Sequence, residues 1–295
     1  MNDTKTWLPT LSLVTAMILW ASSFIALKIA FQGYHPMIVI LGRMVVGSAC
    51  FLVFYRQLRH TVIKREDLKY LLFMAACEPC IYFIFEAKAL ELTSASQAGL
   101  ISAMLPLMVA IGATVFLKER ISRQTVVGFL IAIIGASWLS LAGEKSVSAP
   151  NPLLGNFLEF LAMVAAAGYT LSIKHLSARY SALFLTAVQS WIGALFFSLF
   201  LIHPNISLPR VWYPAPALAV LYLGSFVTLG AYLFYNYGVS KIPASQASSF
   251  VNLVPVFTVI LGFIILGERF VPSQYVASVL VLVGVFISQR RAQLL

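Results

Sequence analysis

The chain has 295 residues, of which 60% are hydrophobic and 10% are charged, and it carries a formal net charge of +10. Because an average soluble domain has about 25% charged residues, this chain lacks the polar groups that would cover a water-exposed surface. The composition therefore excludes most soluble folds and indicates a membrane protein, whose solvent is lipid.

Ten apolar runs follow one another along the chain, and short breaks between them hold most of the charge. A run of about 20 apolar residues spans a bilayer as a helix, because a helix satisfies its own backbone hydrogen bonds. No break is long enough for a separate soluble domain, so we predict an all-α polytopic membrane protein with ten transmembrane helices. The predicted helices are Leu8–Phe31, Met37–Tyr55, Tyr70–Leu90, Ser94–Leu117, Val126–Ala142, Leu153–Ile173, Ala182–Ile202, Ala215–Val239, Ala244–Leu266 and Tyr275–Ile287.

The basic residues predict the orientation of these helices. With the N-terminus in the cytoplasm, 14 of the 20 Lys and Arg residues lie in cytoplasmic segments and 4 lie in outer segments. Lys and Arg accumulate in the cytoplasmic loops of membrane proteins, so both termini are predicted to be cytoplasmic. The same rule explains the positive net charge, and we expect no nucleic-acid partner. The first run is too long for a signal-peptide core and is interpreted as an uncleaved span.

The tetrapeptide Ala-Ser-Gln-Ala occurs at Ala95–Ala98 and again at Ala244–Ala247, 149 residues later. In each copy a proline, Pro106 or Pro255, lies nine residues beyond the glutamine. Hydrophobic composition alone would not place polar residues and helix breakers in register. We therefore infer an internal duplication.

The duplication continues through a Glu-Arg pair in each copy, Glu119-Arg120 and Glu268-Arg269. Five predicted helices separate one copy from the next, and five is odd, so the second copy enters the membrane in the opposite direction. Inverted repeats of this kind are found in many secondary transporters. We therefore divide the chain into two five-helix halves, residues 1–147 and 148–295.

Several segments resemble the drug/metabolite transporter superfamily, and within it the EamA type. They are LWASSFIALK in the first helix, LGRMVVGSA in the second, and the small residues, mid-helix proline and terminal Glu-Arg of the fourth and ninth. The resemblance covers nearly the whole chain. It implies a solute carrier with a central cavity between the halves, often an exporter of amino acids or other metabolites.

Glu78 lies near the middle of the third predicted helix, in the segment MAACEPCIYF. A carboxylate at that depth is costly unless it is paired or protonated, and such residues are functional candidates. Lys28 and Arg43 are its candidate cationic partners. Glu78 is thus expected either to bind solute or couple protons, or to form a static ion pair or hydrogen bond between helices.

Polar and backbone groups of the repeat are further candidates. Each repeat proline frees a backbone carbonyl about four residues before it, near Ser102 and Val251. These carbonyls either line the cavity or belong to packed kinks. Gln97 and Gln246 either hydrogen-bond between helices or reach solute near the cavity mouths.

Aromatic rings form a second group of candidates, because they can enclose an apolar or planar solute and attract an ammonium group. Membrane packing and the interfacial aromatic belt are the alternative explanation. Asn236 and Asn252 are polar enough to orient a solute. The aromatic candidates are Trp20, Phe24, Tyr82, Phe83, Tyr169, Tyr232, Tyr235 and Tyr237.

The sequence contains no recognisable catalytic or metal-binding set. Cys77 and Cys80 have CxxC spacing, but without a βαβ pattern or further ligands they are interpreted as small apolar fillers. A nucleotide-binding loop is also missing, and we expect no cofactor. Glu86, Lys88 and Glu159 are expected nearer the outer surface, as solvated or snorkelling groups.

These observations predict a secondary transporter of small organic metabolites, embedded in the lipid of a bacterial inner membrane and working by alternating access. Protons are the candidate coupling ion. A polytopic enzyme acting on lipid is one alternative, for which a cluster of ionisable residues at an interface would be expected. A channel or receptor is the other, and a channel would conduct solute without saturation.

Overall fold

The computed structural model describes residues 7–117, 123–143, 145–204, 206 and 208–289. Within these ranges the chain is helical with short connections, and the only strand-like pairing is an isolated bridge between Ser146 and Ala149. The Glu119-Arg120 pair lies outside the described residues. The ten helical segments are α1, Trp7–Phe31; α2, Pro36–Leu52; α3, Arg65–Leu92; α4, residues 95–117; α5, Arg123–Leu141; α6, Pro152–Leu176; α7, Ala182–Ile202; α8, Pro214–Lys241; α9, Ala244–Leu266; and α10, Pro272–Gln289.

The helices agree with the predicted apolar runs to within a few residues at most ends. In the described part of the chain, seven are long and apolar enough to cross a membrane, and three shorter apolar helices occupy the remaining runs. The chain is therefore an all-α, multi-pass membrane protein, while the count of ten crossings stays a prediction. Large apolar side chains that face outward, such as Val279 and Phe286 of α10, are suited to contact with lipid.

Local sequence explains where several helices begin and end. Ser94, Asn151 and Ser181 each precede a helix, and each side chain accepts a hydrogen bond from a backbone N–H of the first turn. Such caps satisfy donors that have no partner within the helix. Pro152 then occupies the first position of α6, where its missing N–H costs nothing. Gly267 ends α9 in a left-handed conformation, with φ of 68°, which glycine adopts without strain.

Four helices change their winding near the middle. α3 contains a π-helical turn at Ala76–Ile81, and α8 contains one at Leu223–Ala231. α4 and α9 each contain a 3₁₀ turn, Ser102–Met104 and Phe250–Asn252. Third and eighth helices, and fourth and ninth, occupy matching places in the two halves. Backbone groups released from the regular ladder at membrane depth are tolerated where protein or a wet cavity surrounds them.

Helix contacts follow a pattern that is unchanged when the two halves are exchanged. α1 packs against α8 and α9, and its counterpart α6 packs against α3 and α4. Three further contacts join a helix to its own counterpart: α2 to α7, α4 to α9 and α5 to α10. This exchange pattern is the one expected of two similar halves related by a pseudo-two-fold axis.

Glycine contacts give the relative directions of α5 and α10. A Cβ added to Gly128 would lie 2.5 Å from the carbonyl oxygen of Gly284, whereas one added to Gly135 would lie 2.7 Å from the backbone nitrogen of Val281. As numbering rises along α5 it therefore falls along α10, so the two helices run antiparallel. Small residues permit this close backbone approach between membrane helices.

Two lysines identify the two membrane faces. The Lys28 Nζ at the end of α1 donates to the Ser148 carbonyl oxygen at 2.6 Å, and this side is called the Lys28 face. At the opposite ends of the helices, the Lys174 Nζ donates to the Ile242 carbonyl oxygen at 2.8 Å and the Val239 carbonyl oxygen at 3.1 Å. This side is called the Lys174 face.

Candidate solute cavity

A cavity lies in the middle of the membrane-spanning region, between the two halves of the chain. It leaves about 40 Å³ for the centres of water-sized molecules, and seven helices, α1, α2, α3, α4, α6, α8 and α9, contribute to its wall. Ser102 and Val251, the positions whose carbonyls the repeat prolines were expected to free, both line it. The 3₁₀ turns of α4 and α9 therefore bring corresponding positions of the two repeats to one space.

Glu78 reaches this cavity from the π-helical turn of α3. Its own backbone is extended, with φ −147° and ψ 118°, and interrupts the helix there. The side chain is buried, and the Tyr232 hydroxyl of α8 donates a hydrogen bond to its Oε1. A carboxyl group from the first half is thus held by a phenol from the second.

Arg43 is almost fully buried, at 1% exposed, and also lines the cavity. Its Nε donates to the Thr228 hydroxyl at 3.2 Å, and its guanidinium lies 4.3 Å from the centre of the Phe83 ring. The nearest carboxylate is that of Glu86, with 4.0 Å between Arg43 Nη1 and Glu86 Oε2. The Tyr82 hydroxyl donates to the other oxygen, Oε1, at 2.8 Å.

Of the structural alternatives for Glu78, the ion pair with Lys28 or Arg43 is therefore not formed, whereas a hydrogen bond between helices is present. Lys28 is bonded at the membrane face, and Arg43 pairs with Glu86, while Glu78 has a phenolic partner, Tyr232. The position of a residue along an apolar run indicates its depth but not the direction in which it points. The positions of Lys28 and Arg43 in the sequence were therefore not sufficient to identify the partner of Glu78.

The expectation that Glu86 and Glu159 are solvated is wrong. Glu86 is 2% exposed and Glu159 is 0% exposed, because α3 and α6 pack against each other along this stretch. Lys88 does point outward, and its Nζ lies 2.8 Å from Glu91 Oε2. The burial of Glu86 had one sequence clue: it lies four residues after Tyr82, which places both on one face of the helix.

Aromatic side chains of α1, α6 and α8 form one wall of the cavity. The ring centroid of Trp20 lies 4.7 Å from that of Tyr235 and 5.3 Å from that of Tyr232. The Trp20 Nε1 is buried and has no hydrogen-bond partner among the described residues. Since a buried, unused donor is costly, this group is free to donate to a solute.

A polar layer behind the aromatic wall fixes Tyr169. Its hydroxyl lies 2.8 Å from both Gln189 Oε1 and Asn236 Oδ1, and the Asn236 Nδ2 donates to the Thr186 hydroxyl at 2.9 Å. Asn236 therefore supports the wall rather than lining the cavity. Gln189 and Thr186 were not expected from the sequence, because an isolated polar residue in an apolar run does not reveal its partner.

The predicted site residues fall into two groups. Lys28, Gln97, Gln246 and Asn252, like Asn236, do not line the cavity, and their roles toward solute stay predictions. Nine of the candidate residues do line it: Trp20, Phe24, Arg43, Glu78, Tyr82, Phe83, Tyr169, Tyr232 and Tyr235.

The two faces of the protein differ around the repeated tetrapeptides. At the Lys28 face the Glu268 carboxylate accepts hydrogen bonds from the Ala95 and Ser96 amides at 2.9 and 2.8 Å, so the end of α9 is joined to the start of α4. At the Lys174 face Gln246 is exposed and borders a cleft with Tyr237 of α8. Among the described residues a carboxylate thus joins two helix ends at the Lys28 face, whereas its counterpart in the repeat, Glu119, lies outside the described residues.

Comparison with known proteins gives matches over nearly the whole chain. The EamA-like transporter family matches twice, at residues 7–141 and 153–289. "Uncharacterized transporter YetK" of Bacillus subtilis (strain 168) is 28% identical over 94% of this chain and 85% of the relative. A "Probable terminal-alkyne amino-acid exporter" of Streptantibioticus cattleyicolor is 25% identical over 95% of this chain and 93% of the relative. One solved crystal structure shares the fold with a TM-score of 0.68 at 19% identity, covering 97% of both chains.

Proposed function

The chain belongs to the EamA-like transporter family, and on that premise we propose that it is a secondary transporter of amino acids or closely related metabolites. The observation that carries the proposal is a cavity that both halves line with charged and aromatic side chains, in a protein that otherwise presents apolar surface to lipid. The direction proposed is export, from the cytoplasm across a bacterial inner membrane.

The cavity supplies complementary groups for both ends of an amino acid. Arg43 and the unused Trp20 Nε1 suit a carboxylate, because guanidinium and indole N–H groups both donate hydrogen bonds. Glu78 and Glu86 suit an ammonium group. The aromatic wall formed by Tyr232 and its neighbours suits an apolar or planar side chain. The printed name of the Streptantibioticus relative, an amino-acid exporter, agrees with this class of solute.

Alternating access follows from the arrangement of the halves. The antiparallel packing of α5 and α10, and the contact pattern that survives exchange of the halves, support an inverted repeat. In such a protein, rocking of the two repeats exposes a fixed central site to each side in turn. We assign the Lys28 face to the outside, since the basic residues favour the Lys174 face. Closed contacts at the Lys28 face and the cleft at the Lys174 face then correspond to a state accessible from the cytoplasm.

Glu78 is the proposed recognition residue for the ammonium group. Its hydrogen bond with Tyr232 crosses from one half to the other, so solute binding at Glu78 and the relative position of the halves are connected. An ammonium group that binds the Glu78 carboxylate would compete with the Tyr232 hydroxyl for the same oxygen atoms. Occupation of the cavity would thereby change a contact between the two halves, as a carrier requires.

Counterflow in proteoliposomes tests this function. Vesicles containing the purified protein are loaded with a mixture of the standard amino acids, and labelled amino acids are supplied outside. We expect saturable uptake that depends on the internal load, and a 10- to 100-fold lower kcat/KM for Tyr232→Phe, because loss of a buried hydrogen bond costs about 1–3 kcal/mol.

Tyr235→Phe is the matched control. It removes a hydroxyl from the same aromatic wall, but that hydroxyl pairs with Thr170 rather than with a carboxyl group. We expect a change of about fivefold or less, because an ordinary neutral hydrogen bond contributes about 1 kcal/mol. Unsaturable flux, or no flux of any amino acid with correctly inserted protein, would contradict the proposal.

A further inference from the structure

Thr228 of α8 holds the guanidinium of Arg43 from outside the cavity. Among the described residues that line the cavity, Arg43 is the single basic one. Its Nε donates to the Thr228 hydroxyl at 3.2 Å. Thr228 is 2% exposed and is not part of the cavity wall. The hydroxyl therefore acts on Arg43 without reaching the space that a solute would occupy.

The two terminal nitrogens of the guanidinium are left available. Among the described residues neither Nη1 nor Nη2 of Arg43 makes a hydrogen bond, and Glu86 Oε2 lies 4.0 Å from Nη1, beyond hydrogen-bonding distance. A guanidinium presents its N–H groups as a planar fork that matches the two oxygens of a carboxylate. Since Thr228 occupies Nε and the Phe83 ring lies 4.3 Å away against the guanidinium, the edge formed by Nη1 and Nη2 is left for an anion.

The packing of α8 on α2 explains why Thr228 reaches Arg43. Thr228 lies in the π-helical turn Leu223–Ala231, which packs against α2. A Cβ added to Gly47 of α2 would lie 2.6 Å from Thr228 Cγ2, and one added to Gly224 of α8 would lie 2.9 Å from the Arg43 carbonyl oxygen. Small residues permit this close approach of two membrane helices. The position of Thr228 is therefore set by helix packing.

A space-filling role would not require a hydroxyl group at this position. Valine has nearly the same shape as threonine, and burying a hydroxyl is costly unless it is hydrogen-bonded. Thr228 comes from the second half of the chain and Arg43 from the first, and Tyr232, four residues further along α8, bonds Glu78 of the first half. One segment of α8 thus holds the two charged groups proposed to bind the two ends of an amino acid.

We propose that Thr228 is a positioning residue for anion recognition, which engages Nε so that Nη1 and Nη2 of Arg43 are presented to the carboxylate of the solute. The inference rests on the proposed function for the identity of the anion, but not for the orientation of the guanidinium. Without the hydroxyl, the guanidinium can rotate and approach Glu86 more closely. The fraction of protein that is ready to bind the carboxylate then falls, and the apparent affinity falls by the same factor.

The first test requires no solute. Protein with isotopically labelled arginine nitrogens is observed by NMR in lipid nanodiscs, and the Nε–H signal of Arg43 is assigned by its absence in Arg43→Lys. We expect Thr228→Val to shift this signal and to speed its hydrogen exchange at least about tenfold, because the N–H loses its acceptor. An unaltered signal in Thr228→Val would overturn the proposal. If Thr228→Val fails to insert, Thr228→Ala, which also lacks the hydroxyl, decides by the same readout.

Two variants are the controls for this measurement. Thr228→Ser keeps the hydroxyl group and should keep the Nε–H signal. Thr258→Val alters another buried threonine, whose hydroxyl lies 3.5 Å from the Ala21 carbonyl oxygen rather than near a guanidinium. Both should leave the exchange within about twofold, since neither removes the acceptor of Arg43. Equal acceleration in Thr258→Val would mean that any loss of a buried hydroxyl loosens the protein, and would overturn the proposal.

The second test measures recognition of the anion. Counterflow of a labelled mixture of the standard amino acids is inhibited either by unlabelled amino acids or by their α-amides, which keep the ammonium group and the side chain but lack the carboxylate. We expect Thr228→Val to lower the preference for amino acids over amides about five- to tenfold and to raise KM, while kcat stays within about twofold. Thr228→Ser should restore the preference.

The outcomes separate this proposal from the transport function. A merely structural role would weaken inhibition by amino acids and by amides equally, and that result, or an unchanged preference in Thr228→Val, would overturn the role of Thr228 in recognition. Failure of the wild type to move any amino acid would count against the proposed function. The NMR measurement would still decide whether Thr228 orients Arg43.

Discussion

The two copies of Ala-Ser-Gln-Ala have the same sequence and opposite surroundings. At the Lys28 face Gln97 is 4% exposed, and Glu268 binds the amides of Ala95 and Ser96. At the Lys174 face Ser245 and Gln246 are exposed. Identical side chains on the same turn of corresponding helices therefore differ through the arrangement of the helices around them. A carrier with similar halves is expected to show this difference in any single state, because one face is closed while the other is open.

The largest expected effect distinguishes the two faces by accessibility. In intact cells, a thiol reagent that cannot cross the membrane should modify Val147→Cys, beside the exposed Lys145 loop, and should leave Ser245→Cys unmodified. Both variants are made with Cys50 replaced by Ala. In inverted membrane vesicles the two results should exchange. Modification of both positions from one side would contradict the ten-helix topology and the assignment of the faces.

The next effect concerns the contact that closes the Lys28 face. Glu268→Ala removes the two hydrogen bonds that the carboxylate accepts. At this partly exposed site we take their total contribution as about 2 kcal/mol. That free energy corresponds to about 30-fold in the equilibrium constant for opening the contact between α9 and α4. We expect thiol modification of Ser96→Cys to become about 30-fold faster in the Glu268→Ala background.

Arg269→Ala is the control for this measurement, since Arg269 is the exposed neighbour of Glu268. It should leave the rate of modification within about twofold. Equal acceleration by both substitutions would mean that the carboxylate does not hold α9 to α4. The difference in exposure between the two copies of the tetrapeptide would then need another explanation.

The smallest effect compares the two glutamines directly. Gln97→Ala removes one of the two acceptors of the buried Asn156 side-chain amide, the other being Ser140. One N–H is left without a partner, and a buried donor in that state costs about 1–3 kcal/mol. Gln246→Ala alters an exposed side chain and should stay within about 0.5 kcal/mol. Unfolding of the purified protein in detergent measures both. Equal losses would show that Gln246 is also buried during most of the conformational cycle.

The glutamines also illustrate what the sequence could predict. Apolar runs, breakers and charged loops were sufficient for the helices, because each of these features acts locally. Nine cavity residues followed from depth, charge and aromatic character. The burial of Glu86 and Glu159 did not follow, since almost uniformly apolar helices have no polar face that would show which sides of α3 and α6 meet. The different exposure of Gln97 and Gln246 depends on how the other helices pack around each copy, which no local pattern encodes.

The irregular turns within the helices are a second feature that the sequence predicts only in part. A break near Pro79 in α3 is understandable, because proline removes a backbone donor from the helix. The corresponding π-helical turn of α8, Leu223–Ala231, contains no proline. It is stabilised by tertiary contacts with α1 and α2, so only the packed structure reveals it.

The contact of α5 with α10 has a consequence for how the protein is made. The ribosome completes α5 and then synthesises four more helices before α10 emerges, an interval on the order of 10 s at about 5–20 residues per second. During that time the glycine surface around Gly128 and Gly135 has no native partner. Lipid, the membrane-insertion machinery or a neighbouring chain must cover it, so newly made protein is open to mispairing until the last helix arrives.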